Sequence, residues 1–326
     1  VQTCALPISP GFDLNDMGYM KETDYLMNET EIMYRQTDIW KIFRYNAFTL
    51  SQKNMWNYGG TPFSNNASLR WQSMTMNRYE WDVKETFAWN WLDSRLLRGG
   101  PDVRFGSYFL TSAKFNTDKA KRMMFMLKYE GDHNFEGNRF NTISPSLTFR
   151  LGNHVYLSGQ LDYAWNTDEM QYVATTSPLS SSSLTPYYYV MGHMDQKTYG
   201  LTLKLQVNVT PDISIQFYGA PFTSIAKYDD FKLAADTKSH TFENRFQRID
   251  PDQLTYADGV YTIGEGAGQM PFRNPDFRFN EFRSNLVARW EYLPGSTLYF
   301  VWEHRMSNRD KDRKSTRLNS SHGKLS

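Results

Sequence analysis

Residues 198–209 alternate without a break. Tyr199, Leu201, Leu203, Leu205, Val207 and Val209 fall on one side; Thr198, Gly200, Thr202, Lys204, Gln206 and Asn208 fall on the other. A period of two belongs to an extended strand with one apolar and one polar face. The same reading holds over residues 154–165, where Val155, Leu157, Gly159, Leu161, Tyr163 and Trp165 oppose Tyr156, Ser158, Gln160 and Asp162. It holds over 79–89, with Tyr79, Trp81, Val83, Phe87 and Trp89 against Glu80, Asp82, Lys84 and Thr86; Glu85 alone breaks the pattern. Weaker copies cover 121–130, 143–151, 212–221 and both halves of SNLVARWEYLPGSTLYFVWEHR at 284–305.

Connections alternate too. Short turns at Asn77-Arg78, Gly152-Asn153, Thr210-Pro211-Asp212 and Pro294-Gly295, and a longer one over Asn116–Ala120, join the strands of successive pairs. Long polar links at 53–66, 92–104, 131–142, 166–197 and 226–280 separate the pairs. From Tyr25 onward this predicts about twelve strands of roughly 9 to 13 residues, the length of a tilted membrane crossing. Short turns at one end and long loops at the other predict an all-β, antiparallel up-and-down transmembrane β-barrel, incomplete in this chain.

Aromatic content fits. With 22 Phe, 21 Tyr and 9 Trp the rings make up 16% of the chain, yet mean hydropathy is −0.63. Rings gather toward strand ends, at Trp89 and Trp91, Tyr163 and Trp165, Trp290 and Tyr292, and Trp302, as in the girdles of a barrel in lipid. A soluble β-sandwich or propeller, a β-rich binding module with these rings in its core, is the competing reading, but its strands are usually about 5 to 6 residues long.

The two ends read differently from the middle. VQTCALPI, residues 1–8, can be written GTT CAG ACG TGT GCT CTT CCG ATC, whose reverse complement encodes DRKSTRLN, residues 312–319. Such antisense complementarity has no cause in protein physics and matches a sequencing adapter. Residues 1–8 and 312–326 are therefore read as adapter-derived, leaving 9–311 as a barrel fragment. Cys4, the one cysteine, then falls outside the barrel, which has no disulfide frame and no thiolate site. The 36 basic and 35 acidic residues nearly cancel, so no nucleic-acid partner is expected.

Chemistry-bearing constellations are sparse. The histidines are scattered without metal-ligand spacing, Gly264–Gly268 lacks the strand and helix of a phosphate loop, and Asp250, Asp252 and Asp258 lack the rest of a calcium loop. No catalytic motif, metal site or cofactor is expected in this span. The candidate lumen-facing polar residues are Glu80, Asp82, Lys84, Arg150, Asp162, Lys204, Gln206, Arg289 and Glu291. Their carboxylates offer either an acid/base pair or, the blander reading, a charged wall balanced by Lys84, Arg150, Lys204 and Arg289. In the long loops Tyr187, Tyr188, Tyr228, Phe231 and Tyr256 are candidates for recognition by ring stacking, with a packed plug as the alternative.

The stretches GFDLNDMGYM (11–20), LLRGGPDVRF (96–105), DQKTYGLTLKLQVNVTPDISIQFYGAPF (195–222) and NPDFRFNEFRSNLVARWEYLPGSTLYFVW (274–302) resemble a bacterial outer-membrane domain, the domain of unknown function 5916. The resemblance implies a barrel that follows a secretion signal and a module similar to family-nine carbohydrate-binding domains. It implies residence in the outer membrane of a Gram-negative bacterium, with membrane lipid and oligo- or polysaccharide as partners. The expected role is a membrane anchor and a conduit or binding platform for carbohydrate. An outer-membrane hydrolase with its site upstream or in the lumen is the alternative from another class.

Overall fold

The computed structural model describes residues 2–9, 24–89, 91–152, 154–179 and 187–310. Stretch 11–20 of the resemblance, Asn153 of one predicted turn, the serine run after residue 179 and the adapter-like residues 312–326 lie outside them.

Nineteen strands are described: β1 (Gln2–Ile8), β2 (Tyr25–Gln36), β3 (Phe43–Trp56), β4 (Pro62–Thr75), β5 (Glu80–Trp89), β6 (Trp91–Asp93), β7 (Val103–Phe105), β8 (Tyr108–Asn116), β9 (Met123–Asn134), β10 (Arg139–Leu151), β11 (Val155–Thr176), β12 (Tyr188–Asn208), β13 (Ile213–Ala234), β14 (Phe246–Arg248), β15 (Leu254–Ala257), β16 (Val260–Ile263), β17 (Met270–Arg273), β18 (Phe277–Leu293) and β19 (Ser296–Asp310). The one α-helix among the described residues, α1, is the single turn Phe242–Arg245. From β2 to β19 the main sheet runs β2-β3-β4-β5-β8-β9-β10-β11-β12-β13-β18-β19, every neighbour antiparallel. That order is the predicted up-and-down meander with the predicted number of staves. Among the described residues β1 and β19 end the sheet and do not pair with each other.

The adapter-like β1 pairs with β2 from Gln2↔Glu31 to Ile8↔Tyr25. Pairing at an open edge uses main-chain N–H and C=O groups, which every residue of β1 supplies apart from the missing N–H of Pro7.

The short turns are where Gly, Pro and Asn residues allow them. Gly295 (φ +82) closes the Pro294-Gly295 turn, and Arg78 (φ +61) takes the left-handed conformation at 77–78. Asp258 and Gly259 both have positive φ and form the two-residue turn between β15 and β16, a type I′ hairpin rather than part of an ion loop.

Register shows which residues share a face. The apolar face carries Leu69, Trp81, Leu157, Leu161, Tyr199, Leu203, Trp290, Leu298, Phe300 and Trp302. These side chains are exposed, Leu161 at 56% and Trp290 at 50%. The opposite face is polar and concave, because residues from β2 to β10 line one cavity of about 570 Å³. Those strands lie roughly 29 Å apart along the sheet at about 4.8 Å per strand, so the sheet curls strongly around its polar side.

The long loops are the main departure from expectation. Strands β11, β12 and β13 have 22, 21 and 22 residues, about 70 Å each at ~3.3 Å per residue and far beyond a bilayer crossing. Much of the predicted loops 166–197 and 226–280 is therefore strand, so Tyr188, Tyr228 and Phe231 sit on strands, not in loops. The cause is physical: beyond the exposed apolar belt no single face has to be greasy, so the extensions lose the alternation that marked the strands below.

Two apolar cores form here, one on each side of the extended strands. Val190, Phe231 and Leu233 pack with Ile263 and Phe272 of the small β15-β16-β17 sheet. By register these residues continue the polar face upward. On the other side Met170 and Met191 pack with Leu97, Val103 and Phe246. The result is a three-layered cap above a one-layered sheet. Replacing Phe231, 5% exposed, by alanine is expected to destabilise the cap by about 3–5 kcal/mol. Hydrogen exchange of the β13 and β16 amides measures this; a loss under about 1 kcal/mol would show that no packed core is there.

Candidate functional site

The register places all nine candidate polar residues on one face. Glu80, Asp82 and Lys84 of β5 connect through paired positions on β8 and β9 to Arg150 of β10, then to Asp162 of β11, Lys204 and Gln206 of β12, and Arg289 and Glu291 at β18. Parity alone does this: once the alternation is in phase across neighbours, charges gather on the polar side without any further instruction.

Each carboxylate of the set is already engaged. Arg70 grips Asp82 with two bonds, Nε to Oδ1 at 2.8 Å and Nη2 to Oδ2 at 2.5 Å, and Gln72 adds a third at 3.2 Å. Glu80 is ion-paired to Lys119 and accepts from Asn116 at 3.3 Å. Asp162 accepts from Ser144 at 2.6 Å and from Gln160 at 2.9 Å, and Arg289 donates to Glu291 at 2.7 Å. No two of these four carboxylates share a partner: Asp82, Glu80 and Glu291 are ion-paired and Asp162 accepts from neutral donors. Of the cations expected to balance these carboxylates only Arg289 does so; Arg70 and Lys119 pair with Asp82 and Glu80, and Asp162 is held by neutral donors alone. Arg70 was findable, since it stands diagonal to Asp82 across the β4–β5 pair.

Lys84 lines the 570 Å³ cavity with Glu29, Lys53, Asn66, Glu130 and Asp132. Lys204 and Gln206 line a second cavity of about 310 Å³ nearer the short turns. Among the described residues no three His, Cys, Asp or Glu side chains are grouped so as to hold a metal ion.

The recognition candidates divide. Tyr187 and Tyr256 are exposed, the latter against Tyr261 with ring centroids 4.6 Å apart. Tyr188 and Tyr228 pack against the cap core and Phe231 is inside it. Most of these rings hold the cap together.

Sequence reading missed the cap's buried charges. Arg245 is fully buried, ion-paired to Glu136 and hydrogen-bonded to the Arg104 carbonyl. Glu136 also accepts from the Gly106 amide at 3.0 Å, and a Cβ at Gly106 would lie 2.5 Å from the Glu136 carboxyl carbon. Three separate chain excursions thus meet at one ion pair. Lys232 is buried beside Asp230 (3.5 Å) and Glu169 (4.0 Å), with its ammonium over the rings of Phe242 and Phe246 at 5.5 and 5.8 Å. Sequence carries no signal for these pairs, because their partners are more than sixty residues apart or lie on bulged strands.

Residues 6–325 match a family model described as a domain of unknown function, DUF5916, as the four quoted stretches suggested. No curated protein and no solved structure matches the chain.

His193, beyond the apolar belt, hydrogen-bonds Glu169 at 3.0 Å. Burial disfavours its imidazolium, but Glu169, with Asp229 and Asp195, outweighs burial and raises its pKa above the usual 6.5. A raised folded-state pKa gives stability that is fully present below the unfolded value and lost as pH rises through the folded one. The cap is therefore expected to unfold at lower temperature as pH increases above about 6.5. Replacing His193 by glutamine should flatten that dependence in thermal melts; an unchanged slope would show that other groups set it.

Proposed function

We propose that this chain, which belongs to the family described as domain of unknown function 5916, is an outer-membrane barrel domain that anchors a glycan-handling protein and offers its polar face as a conduit or platform for carbohydrate. One observation carries the reading. The sheet's leucine and tryptophan rows are exposed while its buried side chains include Thr49, Ser68, Ser144 and Ser224. A water-soluble protein rarely exposes so continuous an apolar surface, whereas hydrocarbon covers it without cost and a closed sheet leaves no main-chain group unpaired.

Ring placement supports the same reading. On the apolar face Trp81 meets Phe115 near the short turns (4.4 Å), and Phe87 meets Phe109 near the loops (5.0 Å). Trp81 and Trp89 are eight residues apart on one strand, about 27 Å at ~3.4 Å per residue, close to the ~25 Å apolar band of such barrels. Glu85 interrupts the band and accepts a hydrogen bond from Thr111 at 2.7 Å. The glycan part of the proposal comes from the resemblance; mixed donors and acceptors on the polar face are compatible with it.

Fractionation of cells expressing the gene product tests the membrane reading. Recovery with the outer membrane is expected, and a soluble periplasmic protein would overturn it. Proteoliposomes should swell in oligosaccharide solutions; impermeable ones would leave anchoring alone. Glu85→Val is expected to stabilise the protein in lipid by about 1 kcal/mol or more, measured by denaturant titration in vesicles. On a water-facing sheet the same change would be worth only about ±0.5 kcal/mol.

A further inference from the structure

Near the short-turn ends of β11, β12, β13 and β18, seven polar-face side chains line the 310 Å³ cavity, Val287 and six with polar atoms: Tyr156, Lys204, Gln206, Gln216, Tyr218 and Asn285. Register makes them contiguous. Tyr156 stands opposite Gln206, Gln206 opposite Gln216, Lys204 opposite Tyr218, and Tyr218 opposite Asn285.

Charge sets this patch apart. Elsewhere on the polar face cations have acids beside them: Arg70 pairs with Asp82, Lys119 with Glu80, Arg289 with Glu291, and Arg283 and Arg305 with Glu281, while Lys53 and Lys84 line the larger cavity together with Glu29, Glu130 and Asp132. No carboxylate lines this cavity, and Lys204 has no carboxylate partner among the described residues. A second cation, Arg150, lies over the Tyr156 ring at 6.0 Å and donates to the Lys119 carbonyl at 3.3 Å, again not to an acid. Asn285 Oδ1 is buried with no hydrogen-bond partner, a costly state that a ligand donor would relieve.

We propose that this cavity binds one ring of a hydroxylated carboxylate, a uronic acid unit. Its volume is at the lower end of ligand sites, about 300–1,000 Å³, and suits a single ring. The Lys204 ammonium pairs with the carboxylate. The amides of Gln206 and Gln216 exchange hydrogen bonds with hydroxyls, and Asn285 Oδ1 accepts from one. The electron-rich faces of Tyr156 and Tyr218 meet the ligand's C–H side. A neutral sugar would leave Lys204 unmatched, and an inorganic anion would leave rings and amides unused. The inference deepens the proposed function and rests on the polar face being open to water.

Titration calorimetry of the full chain folded in detergent micelles tests it, with trigalacturonate and uncharged galactotriose as probes. Trigalacturonate is expected to bind about 10-fold or more tightly than galactotriose, the effect of one charge-assisted hydrogen bond. Lys204→Gln should erase that preference, and Tyr218→Ala should weaken both probes. Gln206→Glu provides a second route, placing an acid two residues from Lys204 as Glu291 stands two from Arg289; it too should erase the preference. Unboiled electrophoretic mobility reports folding of each variant. Equal binding of the two probes by the unmodified chain, or a folded Lys204→Gln or Gln206→Glu variant that keeps the preference, overturns the site. A preference that persists in a protein recovered outside the membrane fraction would sink the membrane reading and leave the site standing.

Discussion

Everything in this molecule depends on main-chain hydrogen bonding between sequence neighbours. Each inner strand of the main sheet pairs its N–H and C=O groups with the strands on both sides of it, so its backbone needs nothing from the side chains on either face. Side chains are then free to sort by surroundings. That freedom permits a sheet whose greasy residues are outermost and whose serines and threonines are innermost, the reverse of a soluble core.

The same strands obey two sets of rules along their length. Toward the short turns, the sheet has an apolar face and, opposite it, a hydrogen-bonded polar wall. Beyond the belt, β11, β12 and β13 are covered on both sides, by the β15-β16-β17 sheet and by the segments around Leu97 and Phe246. Burial there is of the ordinary kind, with Met170, Met191 and Val190 fully enclosed. Buried ions are tolerated because each is matched: Arg245 by Glu136, Lys232 by Asp230 and Glu169. Removing one member would strand the other, which typically costs about 3–5 kcal/mol.

Legibility in the sequence followed this division. Residues 198–209 and 154–165 announced their strands and faces through strict alternation, and Arg289 and Glu291 fell on the polar side as their parity required. Nothing comparable marks the extensions. Around Glu169 and Asp230 the strands take extra residues, so a strict period of two fails there even though the backbone stays extended. Short strands such as β6 and β7 have too few residues to show any period. The polar wall's true partners, Arg70 and Lys119, needed register between strands, which a single linear reading does not contain.

Strand β12 runs unbroken through the cap, while β11 accommodates two additional residues and β13 one, at Asp230 with φ +41. Bulges sharpen local coiling, so the hairpin ends lean relative to the staves beneath. The single insertion in β13 also acts as a phase shifter: it turns Lys232 toward Glu169 and Leu233 toward the small sheet. Were the strand to run regularly through Asp230 instead of bulging there, the lysine and the leucine would trade sides, and the apolar slot beneath the small sheet would receive an ammonium group.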